Sequence, residues 1–274
     1  MRTSLVCLVL LLILPSAAQA AATSRMGPEA VHEVRSRIEA RDCGGAVQRL
    51  KAGLKAGHPE VSLLAGSMYE HGICVKAGWD NAVTFYTQAY EKGFPEAAER
   101  LAAGYADPAQ GPDIAAALWW SVRDRGGARH EPCAVSAAAQ GDPDSFVAEL
   151  KTWDPNKLVI CNYIVGVLST ISAEVKYPTR ARSWGMEGEV VLRFLPAVPR
   201  IELKTGAGGA FRLFGWLDGD TLLDQDAGIA TGSFEKALRE VARRALRRYP
   251  QPPGIPLRAE ASVKYVFQLE DELK

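Results

Sequence analysis

The chain has 274 residues, 47% of them hydrophobic and 23% charged, with 32 basic side chains against 32 acidic ones. Zero formal net charge and a pI near neutral call for no nucleic acid and no acidic polymer as partner. The length exceeds what one ordinary core holds and points to two domains of about 100–150 residues each.

The first element is a secretory pattern. Arg2 supplies a positive start, Leu5 to Leu14 an apolar core, Pro15 a break, and Ala18-Gln19-Ala20 a small-residue cleavage site before Ala21. A core of about 10 residues is too short for a ~30 Å hydrocarbon layer, which needs about 20. Residues 1–20 therefore read as a signal peptide, and no later stretch reads as a span. Cys7 lies too early to become a lipidated N-terminus after that cleavage. The expected mature protein is exported, soluble and periplasmic. It touches a membrane only if the N-terminus stays uncleaved. Four cysteines remain, Cys43, Cys74, Cys133 and Cys161, all before residue 172. An even count in an oxidising compartment suggests two disulfides with three possible connectivities. The preferred pairs are Cys43–Cys74 and Cys133–Cys161. No Cys-x-x-Cys spacing or histidine cluster supports a metal.

Residues 21–171 form the expected first domain, an all-α one. Gly57-His58-Pro59-Glu60 recurs as Gly93-Phe94-Pro95-Glu96, and Tyr69 recurs as Tyr105 at the same offset of 36. Asp80, Ala82, Phe85 and Tyr86 find counterparts in Asp113 or Ile114, Ala116, Trp119 and Trp120. Ala46 to Gly57 mirrors Ala82 to Gly93 as an earlier half-unit. Such a period signals a helix–turn–helix solenoid. Glycine closes each unit in the left-handed conformation, and Pro59 and Pro95 open the next helix. Trp119 and Trp120 read as core packing. Helices over 131–140, 143–151 and 156–171 are expected to cap the stack. The motifs Ala65-Gly66-Ser67-Met68-Tyr69-Glu70-His71-Gly72 and Trp79-Asp80-Asn81-Ala82-Val83-Thr84-Phe85-Tyr86, with Ala89 and Gly93, resemble the Sel-one-like branch of the tetratricopeptide superfamily over about residues 40–127. The second copy departs at 107–112, where its loop is rebuilt. Cys43 and Cys74 fall in loops between the two helices of a unit, which stacking places at one end.

Residues 172–274 form the expected second domain, a small α+β module. Pro178 biases Tyr177 toward an extended conformation. Gly185 and Gly188 frame a bend, and Val190, Leu192 and Phe194 then alternate with Glu189, Val191 and Arg193. A short strand carries Ile201 and Leu203. A helix over 234–248 has Ser233 as N-cap and Phe234, Ala237, Leu238, Val241, Ala245 and Tyr249 on its apolar stripe. Its arginines, Arg239, Arg243, Arg244, Arg247 and Arg248, read as a solvated face. The last strand runs from Leu257 to Leu269, with Leu257, Ala259, Ala261, Val263, Tyr265, Phe267 and Leu269 on one face.

Four features together are similar to the C-terminal domain of TonB-type proteins over about residues 174–270. They are the Tyr-Pro lead-in, Gly185-x-x-Gly188 before a strand, a helix ending in Tyr249-Pro250-Gln251-Pro252-Pro253, and the strand to Phe267-x-Leu269. The resemblance implies a three-stranded antiparallel sheet with helices on one side. It also implies a last strand that serves as an edge for a partner's strand. The partner-binding residues so implied are Tyr177, Pro178, Ser262, Lys264, Val266 and Gln268. Residues 204–232 depart from the family as an insertion, with Phe211, Phe214, Trp216 and Asp218-Gly219-Asp220. The membrane helix and Pro-rich spacer of energy-transducing members are also missing.

No catalytic motif is present: no Gly-x-Ser-x-Gly, no His-Glu-x-x-His and no nucleotide loop. Asp218, Asp220, Asp224 and Asp226 lack the rest of an EF-hand pattern. No cofactor is expected. The expected function is a periplasmic, non-enzymatic adaptor that binds protein partners of the envelope, outer-membrane receptors among them, in connection with TonB-dependent transport. The alternatives are a membrane-anchored energy transducer with an uncleaved N-terminus and a peptidoglycan-binding or regulatory protein.

Overall fold

A computed structural model describes residues 17–123, 133–183, 185–206 and 223–269. Among them the chain is mostly helical, with one three-stranded antiparallel sheet toward its end. The apolar segment of the expected signal peptide lies outside the described residues. Three helical hairpins come first: α1 (Ala17–Glu39) with α2 (Cys43–Ala56), α3 (Pro59–His71) with α4 (Trp79–Glu91), and α5 (Glu96–Ala106) with α6 (Ile114–Ser121). The half-unit at 46–57 is therefore the second helix of a full hairpin. Its first helix, α1, carries the Gly-x-Pro-Glu signature only in shortened form, Gly27-Pro28-Glu29, which lacks the intervening residue. Short polar caps set the helix starts. Asp42, Asp113, Asp142 and Asp154 each accept a backbone N–H of the first turn, on α2, α6, α7 (Pro143–Leu150) and α8 (Pro155–Glu174). The left-handed turns after α2 and α4 fall on Gly57 (φ 86°) and Gly93 (φ 88°).

Small residues let the hairpins close. A Cβ on Gly66 would lie 2.4 Å from the Tyr86 ring, and one on Gly104 would lie 1.9 Å from the Trp79 ring. Trp119 and Trp120 pack edge-on against Phe146 and Tyr90, with centroids 5.2 and 5.1 Å apart. Cys43 and Cys74 are joined, S–S 2.08 Å, tying the start of α2 to the loop after α3. Cys43 is thus the first residue of a helix and not a loop residue. Cys133 and Cys161 are joined, S–S 1.99 Å, tying the segment after α6 to α8.

The second half differs from expectation at its joints. No α-helix forms over 133–140, the described part of the helix expected at 131–140; instead Gln140 Nε2 donates to the Val135 carbonyl, Ser136 N–H donates to Glu149, and Arg123 donates to the Gln140 carbonyl. The helix expected at 156–171 runs on to Glu174, so the join at 172 falls inside α8. Helix α9 (Thr179–Ser183) is one short turn. The sheet has the order β2-β1-β3, with β1 (Gly188–Leu195) central between β2 (Arg200–Thr205) and β3 (Ala261–Phe267). The last strand is shorter than Leu257 to Leu269. Phe194 pairs with Ala261 and β1 turns at Pro196, so residues 257–259 have no strand to pair with. Leu257 is 88% exposed. Helix α10 (Leu223–Arg248) starts eleven residues before 234, so Ser233 lies inside it and is not its cap. Of the insertion, 204–205 finish β2, 207–222 lie outside the described residues, and 223–232 belong to α10.

The core does not divide at residue 172. One continuous cluster runs from Ala102 and Leu118 through Phe146, Ile164 and Leu168 to Phe194, Leu238 and Phe267. Helix α8 lies at its centre, packed on α5 and α6 and also on α10. This is the one described helix long and apolar enough by composition to cross a membrane, contrary to the reading that no later stretch qualifies. Just over half (56%) of its apolar window is buried in the protein. Its apolarity is that of a helix with protein on two sides. A Cβ on Gly166 of α8 would lie 2.5 Å from the Tyr249 ring, which sets how closely α10 approaches.

Candidate functional site: the β3 edge

Among the described residues, strand β3 is paired on one side only, by β1. The direction of its free backbone groups follows from the ladder. Gly206 N–H donates to the Glu189 carbonyl at 2.8 Å, continuing the β1–β2 register beyond Val190↔Thr205. The odd residues of β1 thus bond toward β2 and the even ones toward β3. Val190, Leu192 and Phe194 face Tyr265, Val263 and Ala261. The backbone N–H and C=O groups of Ser262, Lys264 and Val266 consequently point away from the sheet. Their side chains stand on the outer face and are exposed, as is that of Gln268, just past the strand. Ala261, Val263, Tyr265 and Phe267 are buried underneath.

The outer face is laced with charge. Lys264 reaches Glu189 at 2.6 Å, and Arg193 bridges Glu202 at 3.1 Å and Glu260 at 2.6 Å. The hydrogen bond from Arg193 holds the Glu260 carboxyl below the usual carboxylate range. In return the hydrogen bond to Glu260 raises Arg193 above its ordinary value. Val266 is 48% exposed and is the apolar side chain of this face nearest the edge strand's C-terminal end.

Tyr177 and Pro178 are placed differently. Tyr177 packs edge-on against Phe234 and Phe267, with centroids 5.7 and 5.9 Å away, and its hydroxyl donates to the Met186 carbonyl. Burial, with the nearby Glu187 charge, raises its phenol above the ordinary value. Tyr177 therefore anchors the end of β3 through Phe267, and its ring is spent on packing. Pro178 is half-buried beside it. Neither lies along the open edge with Ser262, Lys264 and Val266. The aromatics Phe211, Phe214 and Trp216 and the Asp218-Gly219-Asp220 run lie outside the described residues.

A second constellation left no trace in the sequence. Arg248 Nε donates to Asp107 Oδ2 at 2.8 Å, and Arg248 Nη2 donates to Glu70 Oε1 at 3.2 Å. Tyr86 donates its hydroxyl to the other Glu70 oxygen at 2.7 Å. Tyr249 donates to the Ala103 carbonyl at 2.7 Å and so accepts from Thr170 at 2.8 Å. Burial pulls the Arg248 guanidinium down, but the neighbouring Tyr249, Asp107 and Glu70 more than offset it, and the net shift is upward. Asp107 and Glu70 lie 141 and 178 residues from Arg248 in the chain, beyond any local pattern. They join α3, α5 and α10 rather than line a cleft.

No family model, curated protein or solved structure matches this chain.

Proposed function

We propose that the chain is a non-enzymatic protein-binding adaptor of the cell envelope whose TonB-like C-terminal part takes up a partner's strand along β3. The observation that carries this reading is the open edge itself: outward backbone groups at Ser262, Lys264 and Val266 over a firmly buried underside. Backbone hydrogen bonds would supply affinity and the exposed side chains selectivity. The two cysteine pairs at disulfide distance fit an oxidising, extracytoplasmic compartment. The helical hairpins before the sheet, read as Sel-one-like units, supply a second protein-binding surface.

The test is a pull-down of envelope proteins with Lys264→Pro and Lys264→Ala. The Lys264 N–H points away from β1, so proline there removes an edge donor and spares the ladder. Capture is expected to be lost with Lys264→Pro and kept with Lys264→Ala, both variants showing wild-type circular dichroism. Retained capture by a folded Lys264→Pro variant would falsify the edge as the binding site.

A further inference from the structure

The outward face of α10 carries Lys236, Arg239, Arg243 and Arg247. Spacings of three and four residues set them in one line along the helix, roughly 16 Å long at about 1.5 Å per residue. All four are exposed, and none has an ion-pair partner among the described residues. Arg244 and Arg248 of the same helix behave differently. They turn inward to Glu174, and to Glu70 and Asp107. Glu240 is the single acid along the line, which leaves a local excess of positive charge in a chain whose formal net charge is zero.

The opposite side of α10 is fully committed. Phe234, Leu238, Val241 and Ala245 are buried in the core. The helix therefore has no apolar side to insert into a bilayer, and whatever meets the line meets it through charge. The line also stands on an exposed ridge, since α10 packs with α8, α9, β1 and β2 on its other sides. Among the described residues this ridge has no walls to enclose a small anion or a peptide. Its complement is a flat, extended array of anionic groups. Three of the four cations are arginines, whose planar forks match phosphate oxygens.

We propose that the α10 ridge docks this protein peripherally on the phosphate headgroups of an anionic bilayer. The proposal is independent of the β3 reading: it uses other residues and another kind of partner. The full-length protein is sedimented with phosphatidylglycerol-containing vesicles and with phosphatidylcholine vesicles, at low and at high salt. Two triple variants with equal charge loss are compared, Arg239→Gln/Arg243→Gln/Arg247→Gln and Lys51→Gln/Lys55→Gln/Lys92→Gln. The second removes three exposed cations from the helical hairpins. The expected result is headgroup-dependent, salt-sensitive binding that falls about a hundredfold in the arginine variant and stays near wild type in the lysine variant. Equal loss in both variants would overturn the ridge as the site. So would binding indifferent to headgroup charge. Wild type that ignores vesicles but binds polyglutamate through these arginines would overturn the bilayer in favour of an acidic protein.

Discussion

Arg248 is the side chain on which most separate parts of the molecule converge. It sits near the end of α10, 22% exposed, against Glu70 and Asp107, whose side chains are 4% and 9% exposed. Two carboxylates hydrogen-bond one guanidinium here, with a third, that of Glu174, 3.9 Å away, and Tyr86 supplies a further donor to Glu70. Removing the cation alone leaves two acids with too few partners in a poorly solvated place. Arg248→Met is accordingly expected to cost about 3–5 kcal/mol of folding stability in urea denaturation. Combining it with Glu70→Gln and Asp107→Asn should recover a large part of that loss, because the burial penalty then disappears with the charges. A single variant within about 1 kcal/mol of wild type would mean that the cluster is solvated and of little weight.

At the scale of elements, the two disulfides fasten different things. Cys133 and Cys161 are 8% and 1% exposed and belong to the large core. Cys43 is exposed at the start of α2, and Cys74 is half-buried in the loop after α3 with a left-handed backbone (φ 59°). A helix N-terminus stabilises a leaving thiolate. The hairpin of α1 and α2 meets α3 in its own small cluster of Val34, Ala46, Leu50, Val61, Ala65 and Met68. A mild dithiol under native conditions should therefore free Cys43 and Cys74 first, with Cys133 and Cys161 protected until global unfolding. Alkylation followed by peptide mass spectrometry reads the order, and simultaneous labelling of all four cysteines would defeat the prediction. Loss of the outer bridge should cost about 2–4 kcal/mol.

At the scale of the whole molecule, the helical hairpins and the sheet share a core. Helix α8 contributes buried Ile164, Val167, Leu168 and Ile171, and the sheet contributes Val190, Leu192, Phe194 and Phe267 to the same cluster. Tyr249 and Arg248 then bond from α10 to Ala103 and Asp107. A fragment of residues 172–274 would expose the apolar underside that α8 covers. We expect it to remain unfolded or to aggregate, whereas a fragment from residue 152 onward, which retains α8, should gain protected amides in hydrogen exchange. A cooperatively folded 172–274 fragment would show that the sheet module is autonomous after all.

What was legible in the sequence is what local spacing encodes. Alternation at Val190, Leu192 and Phe194 and at Ala261 to Phe267 marks strands buried on one face. The 36-residue echo of Gly57-His58-Pro59-Glu60 marks helix boundaries, because Gly and Pro act through their own backbone torsions. The tertiary structure decided what depends on distant neighbours. Residues 257–259 continue the strand pattern, yet β1 turns away at Pro196 and leaves them unpaired. Residues 223–233 extend α10 ahead of the stripe that begins at Phe234, and α8 serves two halves of the chain at once. The backbone groups that make β3 an open edge depend on the order β2-β1-β3, and no stretch of chain contains that order within itself. Short-range torsions and periodicities are written residue by residue; pairing partners and shared cores are set by which surfaces meet, and only the folded chain brings them together.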